Sequence, residues 1–224
     1  MSQKKISKFM NYLGVMPENA GLLSIAYYTF LTSGMANTVL GAILPDVREA
    51  YNISYVMSGT AYACHQAGNM VAALAAGYLP YLLGRKKSTT LLYLVMIFGL
   101  LLITMKVSPA VLLLGFVFTG LGRGMLSNIT NVIVAETTEK KTAGLNILHA
   151  IYASGALISP LLLIVFSVFL PSSCWQITLW FIVLCMIPAV YLLSNSKLSN
   201  EKTGRAKKTG NQTVPFYKSA SYWL

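Results

Sequence analysis

Charge is what this sequence has least of. Only 10% of its 224 residues are Asp, Glu, Lys or Arg, and just 6 are acids. A water-soluble domain carries about a quarter charged residues, so that class is excluded. Cysteine is nearly absent too. Cys64, Cys174 and Cys185 are an odd number, two of them within apolar runs, and imply neither a disulfide framework nor metal-ligand spacing. The apolar runs hold no paired carboxylates, no Ser/His/Asp arrangement and no metal-ligand cluster. No catalytic residue, metal or cofactor is therefore expected, and the chain does not read as an enzyme. Residues 1–20 form a short polar lead with Lys4, Lys5 and Lys8 but no small-residue cleavage site after an apolar core. That excludes a removable signal peptide, so the first apolar run is expected to act as its own targeting signal.

What is abundant is hydrophobicity. Apolar residues make up 55% of the chain, and the mean hydropathy is +0.62. These values describe an all-α integral membrane protein. A bilayer core of about 30 Å needs about 20 apolar residues as helix, and low-charge windows of about that length occur repeatedly. The expected spans are 21–44, 54–80, 88–106, 109–135, 143–169 and 174–194. The last two come from one long run divided by Pro171-Ser172-Ser173. Trp175 and Trp180 read as interfacial aromatics at the outer end of the sixth span, with Tyr191 at its inner end. After it, residues 195–219 turn polar with the composition of a flexible linker, and 220–224 are apolar again.

The formal net charge is +11. With six spans and the N-terminus inside, Lys4, Lys5, Lys8, Arg85, Lys86, Lys87, Lys140, Lys141 and the six basic residues after Ser196 all fall on one side. Arg48 and Lys106 fall on the other. This asymmetry is the positive-inside signature and makes both termini cytoplasmic. The basic tail reads as a solvated, orientation-setting segment, so no nucleic-acid partner is expected; the lipid bilayer is.

Several polar side chains lie where lipid would not tolerate them. Arg123, Ser127 and Asn131 recur at i, i+4 and i+8, one stripe along a helix. An arginine at that depth costs roughly 2.5 to 3.5 kcal/mol even on a lenient insertion scale. Either it lines an aqueous cavity and meets a solute hydroxyl or an anion, or it makes a structural bond to the first helix. Asn146 and His149 sit at i, i+3 in the fifth span, ahead of the small residues Ala153, Gly155, Ala156 and Ser159 and of Pro160, a flexing point. His65 and Asn69 sit at i, i+4 in the second span, where Gly68, Ala72, Ala76 and Gly77 form a close-packing face. His65 is either a titrating group or a hydrogen-bonded element of the bundle. Asn37 lies in the first span between Gly34 and Gly41.

These residues carry a resemblance. The run GLGRG at 120–124, then Asn131, Ala135-Glu136 and LNILHAIYASGALISPLL at 145–162 resemble helices four and five of the major facilitator superfamily, within it the fucose and glucose permease group of sugar porters. The first span is similar to that group in Ala36-Asn37 and Leu44-Pro45. The stretch 77–87, GYLPYLLGRKK, resembles the superfamily's gating loop between helices two and three through Gly77, Leu79, Gly84, Arg85 and Lys86. Tyr81 and Leu82 replace that loop's acid and base, so its latch would be weaker or differently built. Gly41 and Ser127 stand where carboxylates suited to proton coupling occur in the group. The closest acid to the first of these, Asp46, reads as a loop or cap residue.

The resemblance implies one six-helix half of a transporter that moves a small polar solute, a sugar, across the cell membrane by alternating access. Asn37, Asn69, Asn131, Asn146 and His149 would hydrogen-bond the solute and Arg123 would anchor it. Residues 195–219 would be the cytoplasmic linker between halves, 220–224 the start of a truncated seventh helix, and a second half, separate chain or second copy, a partner. The alternative is a non-transporting membrane subunit or an inactive truncated remnant.

Overall fold

The computed structural model describes residues 8–170, 173–196 and 198. Among them every regular element is a helix: α1 (Lys8–Tyr12), α2 (Ala20–Ala42), α3 (Leu44–Ala50), α4 (Tyr55–Leu74), α5 (Tyr78–Leu83), α6 (Arg85–Thr104), α7 (Pro109–Thr137), α8 (Lys141–Phe169) and α9 (Cys174–Ser194). The six long helices fall on the six apolar runs. Lys4, Lys5, the bulk of the 195–219 segment and residues 220–224 lie outside the described residues.

By length and composition, α6, α7, α8 and α9 can each cross a membrane. Helices α2 and α4 have 23 and 20 residues and no Asp, Glu, Lys or Arg. Their Asn, Thr, Ser, Tyr and Gln side chains keep them below the same hydropathy.

The helix ends follow local chemistry. Ser54 caps α4 by accepting from the Met57 amide at 3.2 Å. Ser108 caps α7 from Val111 at 3.3 Å, and Pro109 at the first helical position lacks only a donor the helix would leave unbonded. Two local expectations are corrected. The expected single helix over 54–80 ends at Leu74 and restarts as α5, with Pro80 in the new first turn, where its ring is tolerated. Gly84 then adopts φ +82° to launch α6, a conformation that penalises any Cβ. The supposed loop after the first span is the helix α3, with Asp46 in its first turn and Arg48 in its last, each suited to the helix dipole.

Lipid tails give packing helices no hydrophobic drive, so contact depends on close approach and polar bonds. Glycine supplies the approach. On α7, Gly120 and Gly124 lie against the backbone of α4 at His65 and Asn69, while Gly122 faces Leu92 on α6, where a Cβ would stand 2.7 Å from the carbonyl oxygen. Gly34 of α2 and Gly155 of α8 notch into each other's backbones at Tyr152 and Leu31. Of the expected close-packing face on α4, Gly68 and Ala72 are buried, but Gly77 is exposed beyond the helix end. Pro160 does not break α8, which runs unbroken through it. The Ala156 carbonyl that loses its partner to the proline accepts instead from the Ser159 hydroxyl at 3.4 Å.

The ends of the bundle are distinct. Lys8, Arg85, Lys86, Lys87, Lys140 and Lys141 gather at one, with the Lys140 amide bonded to the Leu13 carbonyl at 3.3 Å. At the other, the Tyr51 hydroxyl donates to Ile103 at 2.9 Å and Lys106 lies over the Trp175 ring. Trp175, at the first turn of α9, is buried, whereas Trp180 and Tyr191 are exposed. An apolar cluster fills each end. Val39, Leu100, Phe116 and Leu179 belong to one, and Leu23, Ile129, Val134 and Leu148 to the other.

Gly120→Val puts a branched side chain against the α4 backbone, and overpacking of this kind costs about 1–3 kcal/mol. A lowered unfolding temperature in detergent is expected, whereas Gly59→Val, with open space around its Cβ position, should leave it nearly unchanged.

Candidate functional site

Between the two apolar clusters lies a polar belt, and its members sit near the midpoints of their helices. Arg123 is the central residue of α7, about 21 Å of helix from either end. Ser33 on α2, His65 on α4, Tyr93 on α6 and Tyr152 on α8 are at comparable positions. In hydrocarbon each such group needs a partner.

One part of the belt is fully bonded within the protein. His65 is buried, its Nδ1 lies 2.9 Å from the Thr119 hydroxyl, and its Nε2 lies 3.0 Å from the Asn37 side chain. Thr119 spends its own proton on the Phe116 carbonyl at 2.8 Å, so toward His65 it can only accept. A ring carrying its proton on Nδ1 donates to Thr119 and accepts at Nε2 from the Asn37 amide, whose oxygen and nitrogen ends are interchangeable in shape. The triad ties α2, α4 and α7 together. Tyr93 of α6 pairs with Thr32 of α2 through its buried hydroxyl.

The other part opens onto a cavity of about 110 Å³ lined by Phe30, Ser33, Arg123, Ser127, His149 and Tyr152. Arg123 Nε donates to the Tyr152 hydroxyl at 3.4 Å. Phe30 packs on both Tyr152, with ring centroids 5.1 Å apart, and His149, at 5.7 Å, which fixes this wall. The structural bond foreseen for Arg123 is thus to α8, not to helix-one carbonyls. Of the polar residues singled out within the spans, Arg123, Ser127 and His149 converge here. Asn131 lies two turns farther along α7, with a buried Oδ1 that has no partner among the described residues. Asn37 and His65 are engaged with each other, Asn69 packs its backbone against Gly124, and Asn146 is exposed on α8 outside the cavity. Ser33, Phe30, Tyr152 and Thr119 were not foreseen. A lone Ser, Thr, Tyr or Phe in an apolar helix carries no signal until its neighbours are known.

The loop residues are joined to helix ends. Arg85 pairs with Glu136 at the end of α7, and Lys86 donates to the Ser196 carbonyl at 3.0 Å. Tyr81 and Leu82 are exposed, Leu79 packs on the neighbouring apolar cluster, Gly84 is buried, and Gly77 precedes α5. The Arg85–Glu136 pair is half-exposed and worth at most about 1 kcal/mol. At the opposite end of the bundle, burial, reinforced by Glu49, pushes the Asp46 carboxyl above the ordinary carboxylate range. Among the described residues no group of three or more His, Cys, Asp or Glu could hold a metal ion.

Apolar helices long enough to cross a membrane, gathered around a polar crevice, define a multi-pass membrane protein. The chain belongs to the Major Facilitator Superfamily, whose family model matches residues 26–223. A stretch of 132 residues is 28% identical to Bypass of stop codon protein 6 of Saccharomyces cerevisiae, covering 58% of this chain and 27% of the yeast protein. The matched region is therefore only about a quarter of that relative's length. Membership points to transport rather than to an enzymatic reaction.

Thr119→Val strands the His65 Nδ1–H, a loss of about 1–3 kcal/mol, while Thr119→Ser retains the hydroxyl. Thermal unfolding of the two variants should differ accordingly, with Thr119→Ser close to the parent.

Proposed function

We propose that this chain is the amino-terminal six-helix unit of a secondary transporter that moves a small polar solute, on the family resemblance a sugar, by alternating access. In this reading α2 and α4 cross the membrane with the other four long helices. Their lower hydropathy reflects the belt residues they bring to the interior. The basic end faces the cytoplasm of a cell whose surface membrane holds the protein. The observation that carries the reading is the Arg123 cavity: a guanidinium at the centre of a 29-residue helix, on a wall that also presents Ser127 and His149.

A second six-helix unit, from the same or another polypeptide, would cover this wall and complete the path. Helix α8 buries only Gly144, Leu148, Gly155 and Ser159 within the described bundle, which leaves a long face for such a unit. These transporters hold their solute near the midplane between two units that rock against each other. The Arg85–Glu136 pair and the Lys86–Ser196 bond would serve as the latch in place of the missing acid and base at Tyr81 and Leu82.

In a complete, reconstituted transporter, Arg123→Ala and Asn131→Ala should each lower solute uptake by about tenfold, the equivalent of ~1.4 kcal/mol, with unfolding temperature little changed. Unaltered uptake in both would leave the crevice without a transport role and favour a membrane subunit that docks with partners and carries nothing.

A further inference from the structure

The cavity's electrostatics narrow the kind of solute. Among the described residues no carboxylate is bonded to Arg123. Among the described residues Glu18, Glu136 and Glu139 lie at the basic end of the bundle, and Asp46 and Glu49 lie on α3 at the other. Glu136 is 13 residues along α7, about 20 Å away, and it is taken by Arg85. Glu201 lies outside the described residues. Among the described residues, this positive charge is held at mid-depth with neutral dipoles and the two histidines, His65 and His149, around it.

The donors point the same way. Guanidinium carries five N–H groups in a planar fork. Tyr152 occupies the one on Nε, and the two terminal amino groups make no hydrogen bond among the described residues. Ser33, on the same cavity wall, is 3% exposed, and its hydroxyl has no hydrogen-bond partner. Arg123 and Ser33 both line one small space, and an acceptor with two oxygens is the group that would pair with a guanidinium fork and a neighbouring hydroxyl. The cavity is small, about 110 Å³, and partly open to its surroundings, so it takes one head group and leaves the rest of a solute outside.

We propose that this cavity is a carboxylate subsite: the transported solute is a small organic acid, such as an acidic sugar, whose carboxylate is forked on Arg123 and accepts from Ser33. A monoanion neutralises the single guanidinium, whereas a phosphate dianion would leave excess negative charge at mid-depth. Phe30 and Tyr152 form the apolar wall along the carbon next to the carboxylate, and the rest of the solute extends toward the second unit. This rests on the transporter reading above and assigns the class of solute.

Two measurements test it in membrane vesicles holding the full chain. The first places a thiol in the cavity, Ser127→Cys, with Cys64, Cys174 and Cys185 changed to alanine. Labelling rates are compared for a sulfonate-bearing and a trimethylammonium-bearing methanethiosulfonate, each normalised to its rate with a free thiol. The sulfonate reagent should react several-fold faster, Arg123→Gln should abolish the difference, and lactate but not lactamide should slow labelling. The second needs no substitution. Phenylglyoxal modification of Arg123, read by mass spectrometry against Arg48 and Arg85, should be slowed by lactate and not by lactamide.

If both reagents react at equal normalised rates and lactate protects no better than lactamide, the carboxylate assignment fails while the transporter reading stands. If neither the introduced thiol nor Arg123 reacts with anything from water, the crevice does not exist and both readings fall.

Discussion

Hydrocarbon offers no hydrogen bonds, so every polar side chain at the middle of a membrane helix must find its partner inside the protein or in water that the protein admits. The bundle meets this constraint in two ways along a single belt. His65, Asn37 and Thr119 close on one another, as do Tyr93 and Thr32. Arg123, Ser33 and Asn131 do not close. The first group fastens helices. The second leaves unspent hydrogen-bonding capacity, at Arg123 and Ser33 beside a cavity and at Asn131 two turns farther along α7.

Close packing makes the belt possible. Main-chain contact at Gly120, Gly124, Gly34 and Gly155 brings the helices near enough for short side chains to span between them. A serine or threonine reaches only one or two bonds from its backbone. With bulkier residues in place of Gly120 and Gly124, Thr119 could not meet His65. Sequence, packing and hydrogen bonding are thus coupled: small residues at fixed spacing set the helix separation, and that separation decides which polar groups pair.

Much of this was legible in the order of residues. The positions of the long helices follow from charge-free runs, because a missing ionised group is a one-dimensional signal. The stripe of Arg123, Ser127 and Asn131 follows from helical periodicity. What could not be read is which polar residues would meet across helices. His65 and Arg123 look alike as isolated ionisable groups, yet one is sealed between two neighbours and the other opens onto a cavity. Ser33 is indistinguishable from any serine that bonds back to its own helix, as Ser154 does to the Ala150 carbonyl. The helix α3 and the break before α5 escaped notice for a different reason. Prolines mark a discontinuity, but whether the chain then loops or restarts a helix depends on a single turn.

The glycine contacts also determine how the bundle can deform. Helices joined backbone to backbone resist sliding, so α4, α6 and α7 form one plate and α2 with α8 another. The cavity straddles the join, with Arg123 and Ser127 contributed by the first plate and Phe30, Ser33, His149 and Tyr152 by the second. A group bound there would touch both plates at once and act as mortar, tying the stiffness of the joined whole to its occupant as well as to its chain.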